Sequence, residues 1–243
     1  MACEICNGTG LVCVQQGTFI HLGIDLPPYI SRPCECQEAA RIAARIRRAA
    51  IPAIYDAATL ESFKPLPHAA HALAMARKLI EEFSPAGIGR GLLLTGSVGT
   101  GKTHLAIGTL RAAIAQKGAL GRFVDVREFM DRLRSSYSAG ATESQAELLK
   151  PIMASDLVLV DDLGSLRLSD WVFETMELLL GGLYNRGTAV IVTTNFANLG
   201  PGAGARARQD TLGDRIGARI WSRLQEMCVC AEMNGPDWRG GKQ

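Results

Sequence analysis

The sequence predicts an α/β fold in which a buried parallel sheet lies between two layers of helices, with a small separate module ahead of it. Three observations support this prediction. Short apolar segments alternate with segments of helical periodicity from about residue 69 onward. A glycine-rich segment of the pattern GxxxxGK[ST] joins one of these strands to a helix. Four of the seven cysteines lie in the first 36 residues.

The composition indicates a folded protein. At 243 residues, with 47% hydrophobic and 21% charged residues, the chain can bury a core and is too apolar to be disordered. No run approaches the roughly 20 apolar residues of a membrane-spanning helix, and the first residues do not resemble a secretion signal. We therefore expect a cytoplasmic protein with no membrane partner and with reduced cysteines. The net charge of +2 is too small for a protein that coats nucleic acid, so any such contact requires local basic clusters.

Residues 1–38 are predicted to form a zinc-binding module. They contain a Cys-x-x-Cys and a Cys-x-Cys pair, formed by Cys3, Cys6, Cys34 and Cys36. Two short strands, at 11–14 and 19–22, are expected to pair with each other. The four thiolates can complete a tetrahedral zinc site, with Cys13 or His21 as possible substitutes for one ligand. Because so short a segment buries little apolar surface, zinc would stabilise it; free thiols in a flexible arm are the alternative.

Residues 39–58 are predicted to be a basic helix and a linker. The composition shifts to Ala and Arg, which favour helix, and Pro52 ends the pattern. Four arginines form what we call the basic stripe: Arg41, Arg45, Arg47 and Arg48. This stripe could bind nucleic-acid phosphates or an acidic partner surface, or it could be a solvated helix face.

Residues 59–243 are predicted to form the main domain. Predicted strands lie at 92–95, 122–126, 157–160, 189–192 and 228–233, and predicted helices at 69–83, 102–116, 128–135, 143–154 and 171–185. Strands this short and apolar, separated by helices, are typical of a parallel sheet covered on both faces.

The GxxxxGK[ST] segment predicts a site for the phosphates of ATP. It comprises Gly96, Ser97, Val98, Gly99, Thr100, Gly101, Lys102 and Thr103, between a strand and a helix. The glycines let backbone N–H groups at the helix N-terminus surround phosphate oxygens. Lys102 adds a positive charge at the β- and γ-phosphates, and Thr103 offers a hydroxyl to Mg²⁺.

Two further strands end in polar residues that complete the predicted site. Asp161 and Asp162 follow the strand at 157–160, and Asn195 follows the strand at 189–192. Asp161 would bind Mg²⁺, and Asp162 would orient or deprotonate the attacking water. Asn195 could place its amide beside the γ-phosphate and that water. At strand ends, Asp and Asn are also ordinary turn residues.

Arginines near the C-terminus are candidates for a catalytic role across a subunit interface. A trans-acting arginine stabilises the charge on the transferring phosphoryl group. We favour Arg223 in the triplet Ser-Arg-Leu, followed by Arg219, whereas Arg239 could contact the phosphates of its own subunit. The alternative is that these are ordinary surface residues of a helix.

Four motifs, in this order and spacing, resemble those of the AAA+ ATPases of the bacterial helicase-loader group, the DnaC/DnaI-type proteins. They are the GxxxxGK[ST] segment, Asp-Asp-Leu-Gly at 161–164, Thr-Thr-Asn at 193–195 and Ser-Arg-Leu at 222–224. The resemblance extends to residues 51–55 and 59–63 before the core, and Arg-Pro-Cys-x-Cys at 32–36 is similar to a zinc module of some relatives. It implies that Ile54, Tyr55 and Phe63 lie near adenine, unless they are ordinary packing residues. Two features depart from the family pattern: Asp162 stands where most AAA+ proteins have Glu, and little or no helical lid follows the sheet.

The resemblance implies a helicase loader. The zinc module would dock onto a replicative hexameric helicase, the main domains would self-associate, and ATP would act as a slow switch. In related loaders a channel that grips single-stranded DNA is lined by the region that here holds Arg127, Arg132, Arg134 and Tyr137. Three alternatives stay open: a transposition-helper ATPase of the IstB type, a small-molecule P-loop kinase, and a nucleotide-gated scaffold that hydrolyses no ATP.

Overall fold

The computed structural model describes residues 3–15, 19–21, 24–26, 29–64, 67–85, 87–138, 142–167, 169–204 and 209–238. The chain forms two compact units, Met1–Arg45 and Ile46–Gln243.

The N-terminal unit contains two small antiparallel ribbons. Its strands are β1 (Leu11–Gln15), β2 (Phe19–His21), β3 (Ile24–Leu26) and β4 (Tyr29–Pro33). β1 pairs with β4 and β2 pairs with β3, so the expected pairing of residues 11–14 with 19–22 is wrong. β1 and β4 are both five residues long and match along their whole length, from Leu11 opposite Pro33 to Gln15 opposite Tyr29. The three-residue β2 instead pairs with β3, the next strand along the chain, as the two strands of a hairpin do.

A helix links the two units. α1 (Glu35–Arg48) begins at the second cysteine pair and ends two residues before Ala50, whose φ is +56°. Beyond the helix, Ala49 is buried, and its carbonyl accepts a hydrogen bond of 2.8 Å from the backbone N–H of Phe123. Ala58 is also buried in the core of the second unit. Part of the segment predicted to be a linker therefore packs into that core.

The second unit is built on a five-stranded parallel sheet, as predicted. Its strands are β5 (Gly91–Thr95), β6 (Gly121–Asp125), β7 (Leu157–Asp161), β8 (Ala189–Thr193) and β9 (Cys228–Glu232). The order across the sheet is β6-β7-β8-β5-β9. The three strands β5, β7 and β8 are buried along their whole length, which is why their sequences are continuously apolar.

Helices cover both faces of this sheet and form two cores. The helices are α2 (Ala70–Glu82), α3 (Lys102–Lys117), α4 (Val126–Ser135), α5 (Gln145–Met153), α6 (Asp170–Asn185), α7 (Leu212–Ile216) and α8 (Ala218–Met227). α2 and α3 pack on one face, and α4 to α8 on the other. Successive residues of β5 point to opposite faces, with Leu92 and Leu94 in the first core and Leu93 in the second.

The end of the sheet lies close to the end of the described chain. Residues 233–238, which follow β9, contain no helix, and the expected lack of a lid stays a prediction. None of the described helices has the length and apolar character needed to cross a membrane.

Candidate functional site

A cavity of about 420 Å³ opens at the carboxyl edge of the sheet, where β5 runs into α3. The predicted phosphate-binding segment and the two predicted strand ends all contribute to it. Its lining comprises Val98, Gly99, Thr100, Gly101, Lys102, Thr103, Asp161, Asp162 and Asn195, together with Tyr55, His104, Asp125, Thr193 and Trp238. Strand order explains the convergence, because β7 and β8 are neighbours and β5 lies next to β8. The structure therefore brings the predicted phosphate and metal residues together, as ligand sites at the ends of parallel strands require.

The phosphate-binding loop has the backbone shape that its glycines allow. Gly101 has a φ of +89° and ends the loop directly before the first turn of α3, where backbone N–H groups have no helical partners. The Lys102 ammonium is buried under the loop, 2.9 Å from the Gly96 carbonyl oxygen and 2.6 Å from that of Ser97. These contacts place a positive charge at the loop, where phosphates would bind.

Thr103 and Asp161 form the candidate Mg²⁺ site. The Thr103 hydroxyl donates a hydrogen bond of 2.9 Å to Asp161 Oδ1, and the Thr193 hydroxyl donates one of 2.6 Å to the same oxygen. Burial raises the pKa of Asp161, and the two hydroxyl groups oppose this effect. A bound divalent cation would stabilise the ionised carboxylate, and hydroxyl and carboxylate oxygens are ligands that Mg²⁺ prefers. This set of residues therefore fits the ion.

Asp162 and Asn195 lie next to each other in the lining of the cavity. The Asn195 side-chain amide donates a hydrogen bond of 3.1 Å to Asp162 Oδ1. Asp162 has a φ of +58°, which is unfavourable for a residue with a side chain, and its N–H donates to the Thr193 hydroxyl at 2.9 Å. Arg127 Nε lies 3.8 Å from the second Asp162 oxygen. The carboxylate and the amide that are both predicted to act on the attacking water are therefore in direct contact.

A segment that sequence reasoning missed covers the phosphate-binding loop. We call residues 233–238 the C-terminal strap. Asn234 Oδ1 accepts the Ser97 N–H at 3.1 Å, and the Ser97 hydroxyl donates to the Gly235 carbonyl at 3.0 Å. The Trp238 N–H donates to the Gly99 carbonyl at 3.1 Å. A side chain at Gly99 would overlap the Asp237 carboxylate, so the strap can lie this close to the loop only because the residue is a glycine.

The three residues expected near adenine lie in different surroundings. Tyr55 lines the nucleotide cavity, and Phe63 lines an adjoining cavity of about 220 Å³ beside Gly101. Ile54 lines neither cavity, and its side chain is 85% exposed. Two aromatic residues that the sequence did not single out, His104 and Trp238, line both cavities. The ring centres of His104 and Phe63 are 5.7 Å apart, which gives this side of the site an aromatic surface.

The two candidate trans-acting arginines differ in exposure. Arg223 is 19% exposed, donates a hydrogen bond of 3.0 Å to Glu177 and lies over the Tyr184 ring. Arg219 is 69% exposed, and its Nε lies 3.6 Å from the same Glu177 oxygen. Arg219 is therefore the better placed to contact another subunit. Arg239 lies outside the described residues.

The predicted zinc ligands meet in the N-terminal unit. The four sulfurs of Cys3, Cys6, Cys34 and Cys36 all lie within 4.8 Å of one another. Backbone N–H groups of Cys6 and Ile5 lower the pKa of the Cys3 thiol to about 7, whereas the Cys34 and Cys6 sulfurs raise the pKa of Cys36 to about 12. Four thiolates this close repel one another unless a cation joins them, so the donor set fits zinc. Cys13 is exposed and does not belong to this group of described residues.

The basic residues proposed for nucleic acid are in part engaged within the chain. Arg132 forms an ion pair of 2.7 Å with Glu143, and Arg134 lies 4.8 Å from the centre of the Trp171 ring. Tyr137 is 60% exposed, as a residue available for base stacking must be. Within the basic stripe, three arginines are exposed and Arg45 is half-buried.

The fold and the site together define a P-loop ATP-binding domain of the AAA+ class. The family described as IstB-like ATP binding protein matches residues 38–236, which is most of the chain, and the chain belongs to this family. The crystal structure of the DnaC helicase loader is similar to it at 32% sequence identity, with a TM-score of 0.64. That match covers 75% of this chain and 99% of the loader chain.

Two other solved structures share the fold at lower identity. The DnaI crystal structure is 23% identical with a TM-score of 0.59, and the match covers 77% of this chain and 94% of that chain. Domain III of the Thermotoga maritima replication initiation protein DnaA is 20% identical with a TM-score of 0.59, covering 77% and 70%. A search of curated protein sequences gave no match.

Proposed function

We propose that this protein is an ATP-dependent loader of a replicative hexameric helicase. In this proposal the cysteine module of residues 1–38 binds zinc and docks onto the helicase, residues 39–58 connect it to the ATPase, and residues 59–243 assemble side by side around single-stranded DNA. ATP binding favours the assembled state, and hydrolysis releases the loader. The observation that carries the proposal is the 32% identity to the DnaC helicase loader, over almost the whole of that chain.

The site chemistry supports ATP hydrolysis in this proposal. Asp161 and Thr103 would hold Mg²⁺ against the phosphates, while Asp162 and Asn195 would orient the attacking water. Asp162 is one methylene shorter than the Glu of most AAA+ proteins, so it would position water less well. A slow enzyme of this kind suits a switch, because the ATP-bound assembly then persists long enough to act.

A pull-down with a replicative hexameric helicase tests the docking step. The full-length chain is expected to retain the helicase with ATP present and to retain less of it after conversion to ADP. Cys34→Ser should abolish retention because Cys34 is a buried member of the zinc cluster, whereas Cys13→Ser, at an exposed cysteine outside it, should not. No retention under either nucleotide condition would contradict the loader function.

The main rival is a transposition helper of the IstB type, which shares the ATPase core and the family. It would bind duplex DNA together with a transposase. The cysteine cluster favours the loader, because a second folded unit ahead of the ATPase provides a docking element for a protein partner. ATP-dependent assembly on duplex DNA, without helicase retention, would favour the rival. ATP-dependent retention with no turnover would instead indicate the nucleotide-gated scaffold.

Arg219→Ala is expected to leave ATP binding by the isolated chain unchanged and to lower turnover in the assembly by about 10³-fold. The reason is that both arginines pair with Glu177, but Arg219 does so from an exposed position at 3.6 Å, whereas Arg223 is largely buried and held at 3.0 Å. Arg219 is therefore the freer of the two to extend toward a neighbouring γ-phosphate. Turnover is measured at protein concentrations that permit assembly. Mixing Arg219→Ala with Lys102→Ala chains should restore activity, because the second variant supplies an intact arginine. Unchanged turnover in Arg219→Ala would indicate that Arg223 is the trans-acting arginine.

A further inference from the structure

The loop that follows β7 carries the strained residue of the site. We call residues 162–166 the β7 loop. Asp162 begins it with a φ of +58°, in the left-handed region that is unfavourable for most residues with a side chain. The Leu163 N–H donates to the Thr193 carbonyl at 2.9 Å, and the Thr194 hydroxyl donates to the Leu163 carbonyl at 2.7 Å. A strained carboxylate keeps its position only while its surroundings hold it there, so the remainder of the loop matters as well.

A single, largely buried guanidinium holds the other end of this loop. Arg215 on α7 is 15% exposed. Its Nε donates to the Gly164 carbonyl at 2.8 Å, and its Nη2 donates to the Leu166 carbonyl at 2.8 Å and to the Ser165 carbonyl at 3.4 Å. Three consecutive backbone carbonyls therefore share one side chain. Lysine has no fork of donors that could reproduce this arrangement.

The same side chain also contacts the segment that follows β8. The Arg215 guanidinium lies 5.0 Å from the centre of the Phe196 ring, and Phe196 directly follows Asn195. Its remaining donor, Nη1, pairs with Asp210 at 3.2 Å. Arg215 thus ties together the two segments that carry Asp162 and Asn195, although it does not itself line the nucleotide cavity.

We propose that Arg215 is a positioning residue for ATP hydrolysis, holding Asp162 and Asn195 in the relation that activates water. This inference rests on the proposed ATPase function. Arg127 also donates to the Ser165 carbonyl of this loop, but its side chain is 59% exposed, whereas that of Arg215 is 15% exposed. An exposed ion pair contributes little in water, whereas a buried guanidinium with several partners fixes a backbone.

Arg215→Lys is expected to lower kcat for Mg-ATP about 10- to 100-fold while leaving the Kd for ATP within about twofold. Binding is preserved because the phosphate-binding loop and Lys102 are unchanged. Steady-state turnover and equilibrium binding are measured on the same preparation. Arg122→Lys is the matched control, since Arg122 is half-buried and, like Arg215, donates to a backbone carbonyl, that of Arg48, outside the lining of the nucleotide cavity. The control should retain its kcat.

A double-mutant cycle separates positioning from a general structural role. Asp162→Glu keeps a carboxylate but changes its reach. If Arg215 acts through this carboxylate, the loss caused by Arg215→Lys should differ by at least about threefold between the unmodified chain and the Asp162→Glu variant, because coupled residues are not additive. Equal losses in both backgrounds would overturn the proposal.

Gly164→Ala provides a second route should Arg215→Lys fail to fold. Gly164 has a φ of +88°, and a side chain there would lie 3.1 Å from both Arg215 Cβ and the Phe196 ring. It should displace the loop from the guanidinium and give the same loss of kcat at unchanged ATP affinity. A normal kcat in either folded variant overturns the inference alone. An unmodified chain that assembles and hydrolyses no ATP overturns the proposed ATPase, and this inference with it.

Discussion

Lys102→Ala is expected to reduce ATP affinity about 100-fold, a loss that corresponds to roughly 3 kcal/mol for charged hydrogen bonds to phosphate. The ammonium is buried beneath the loop and contacts the carbonyl oxygens of Gly96 and Ser97, so its charge is held where the phosphates would bind. Nucleotide-dependent assembly and helicase retention should disappear with ATP binding. Equilibrium titration of ATP in the presence of Mg²⁺ measures the effect.

Lys78→Ala is the matched control for this change. Lys78 lies on α2, is 63% exposed and forms an i,i+4 ion pair with Glu82. Its loss should change neither ATP affinity nor stability by more than about 0.5 kcal/mol. An ATP affinity retained by Lys102→Ala would mean that the phosphates bind elsewhere, and the assignments of Thr103, Asp161 and Asp162 would then fail.

Removal of zinc is expected to unfold the N-terminal module and leave the ATPase folded. The module consists of two short ribbons, and structural zinc contributes about 10–16 kcal/mol of apparent folding free energy in small metal domains. Release by a thiol reagent should yield about one zinc per chain, which is the stoichiometry of one four-cysteine site. Limited proteolysis before and after metal removal should show new cleavage confined to the N-terminal unit, Met1–Arg45.

Two cysteine variants test the site directly. Cys34→Ser should lose the metal, because Cys34 is buried and its sulfur lies 3.7 Å from that of Cys3. Cys13→Ser should keep it, because Cys13 is exposed and outside the cluster. A purified chain without zinc, or a proteolysis pattern unaffected by metal removal, would contradict the module.

The sheet and the phosphate site could be predicted from local sequence. Each buried strand is a continuous apolar run, and the residues predicted to bind the phosphates and Mg²⁺ or to orient water lie either at the end of such a run or in the motif after β5. Because parallel strands end at one edge, Asp161, Asp162 and Asn195 were expected at the same edge of the sheet. Their direct contact depends in addition on β7 and β8 being neighbours, which the local sequence does not reveal.

The C-terminal strap and Arg215 could not be predicted in this way. The strap covers the phosphate-binding loop only because β9 pairs with β5, and no local pattern reveals that strand order. Arg215 lies on the five-residue α7, which is too short to show helical periodicity. Its carbonyl partners lie 49 to 51 residues earlier in the chain. The difference in side-chain exposure between Arg219 and Arg223 likewise depends on how the helices pack, so the spacing of the two residues in the sequence does not reveal it.

The proposed ATP and Mg²⁺ site is tested most directly by a calorimetric titration of ATP into the full-length chain, with and without Mg²⁺. The titration is made for the unmodified protein and for Asp161→Asn. We predict one site per chain, tighter binding with Mg²⁺ for the unmodified protein, and loss of that Mg²⁺ dependence in Asp161→Asn. The variant can still accept the hydroxyl hydrogen bonds from Thr103 and Thr193, so its fold should persist. Equal Mg²⁺ dependence in both proteins, or no ATP binding by either, would contradict the ATP site on which the proposed loader depends.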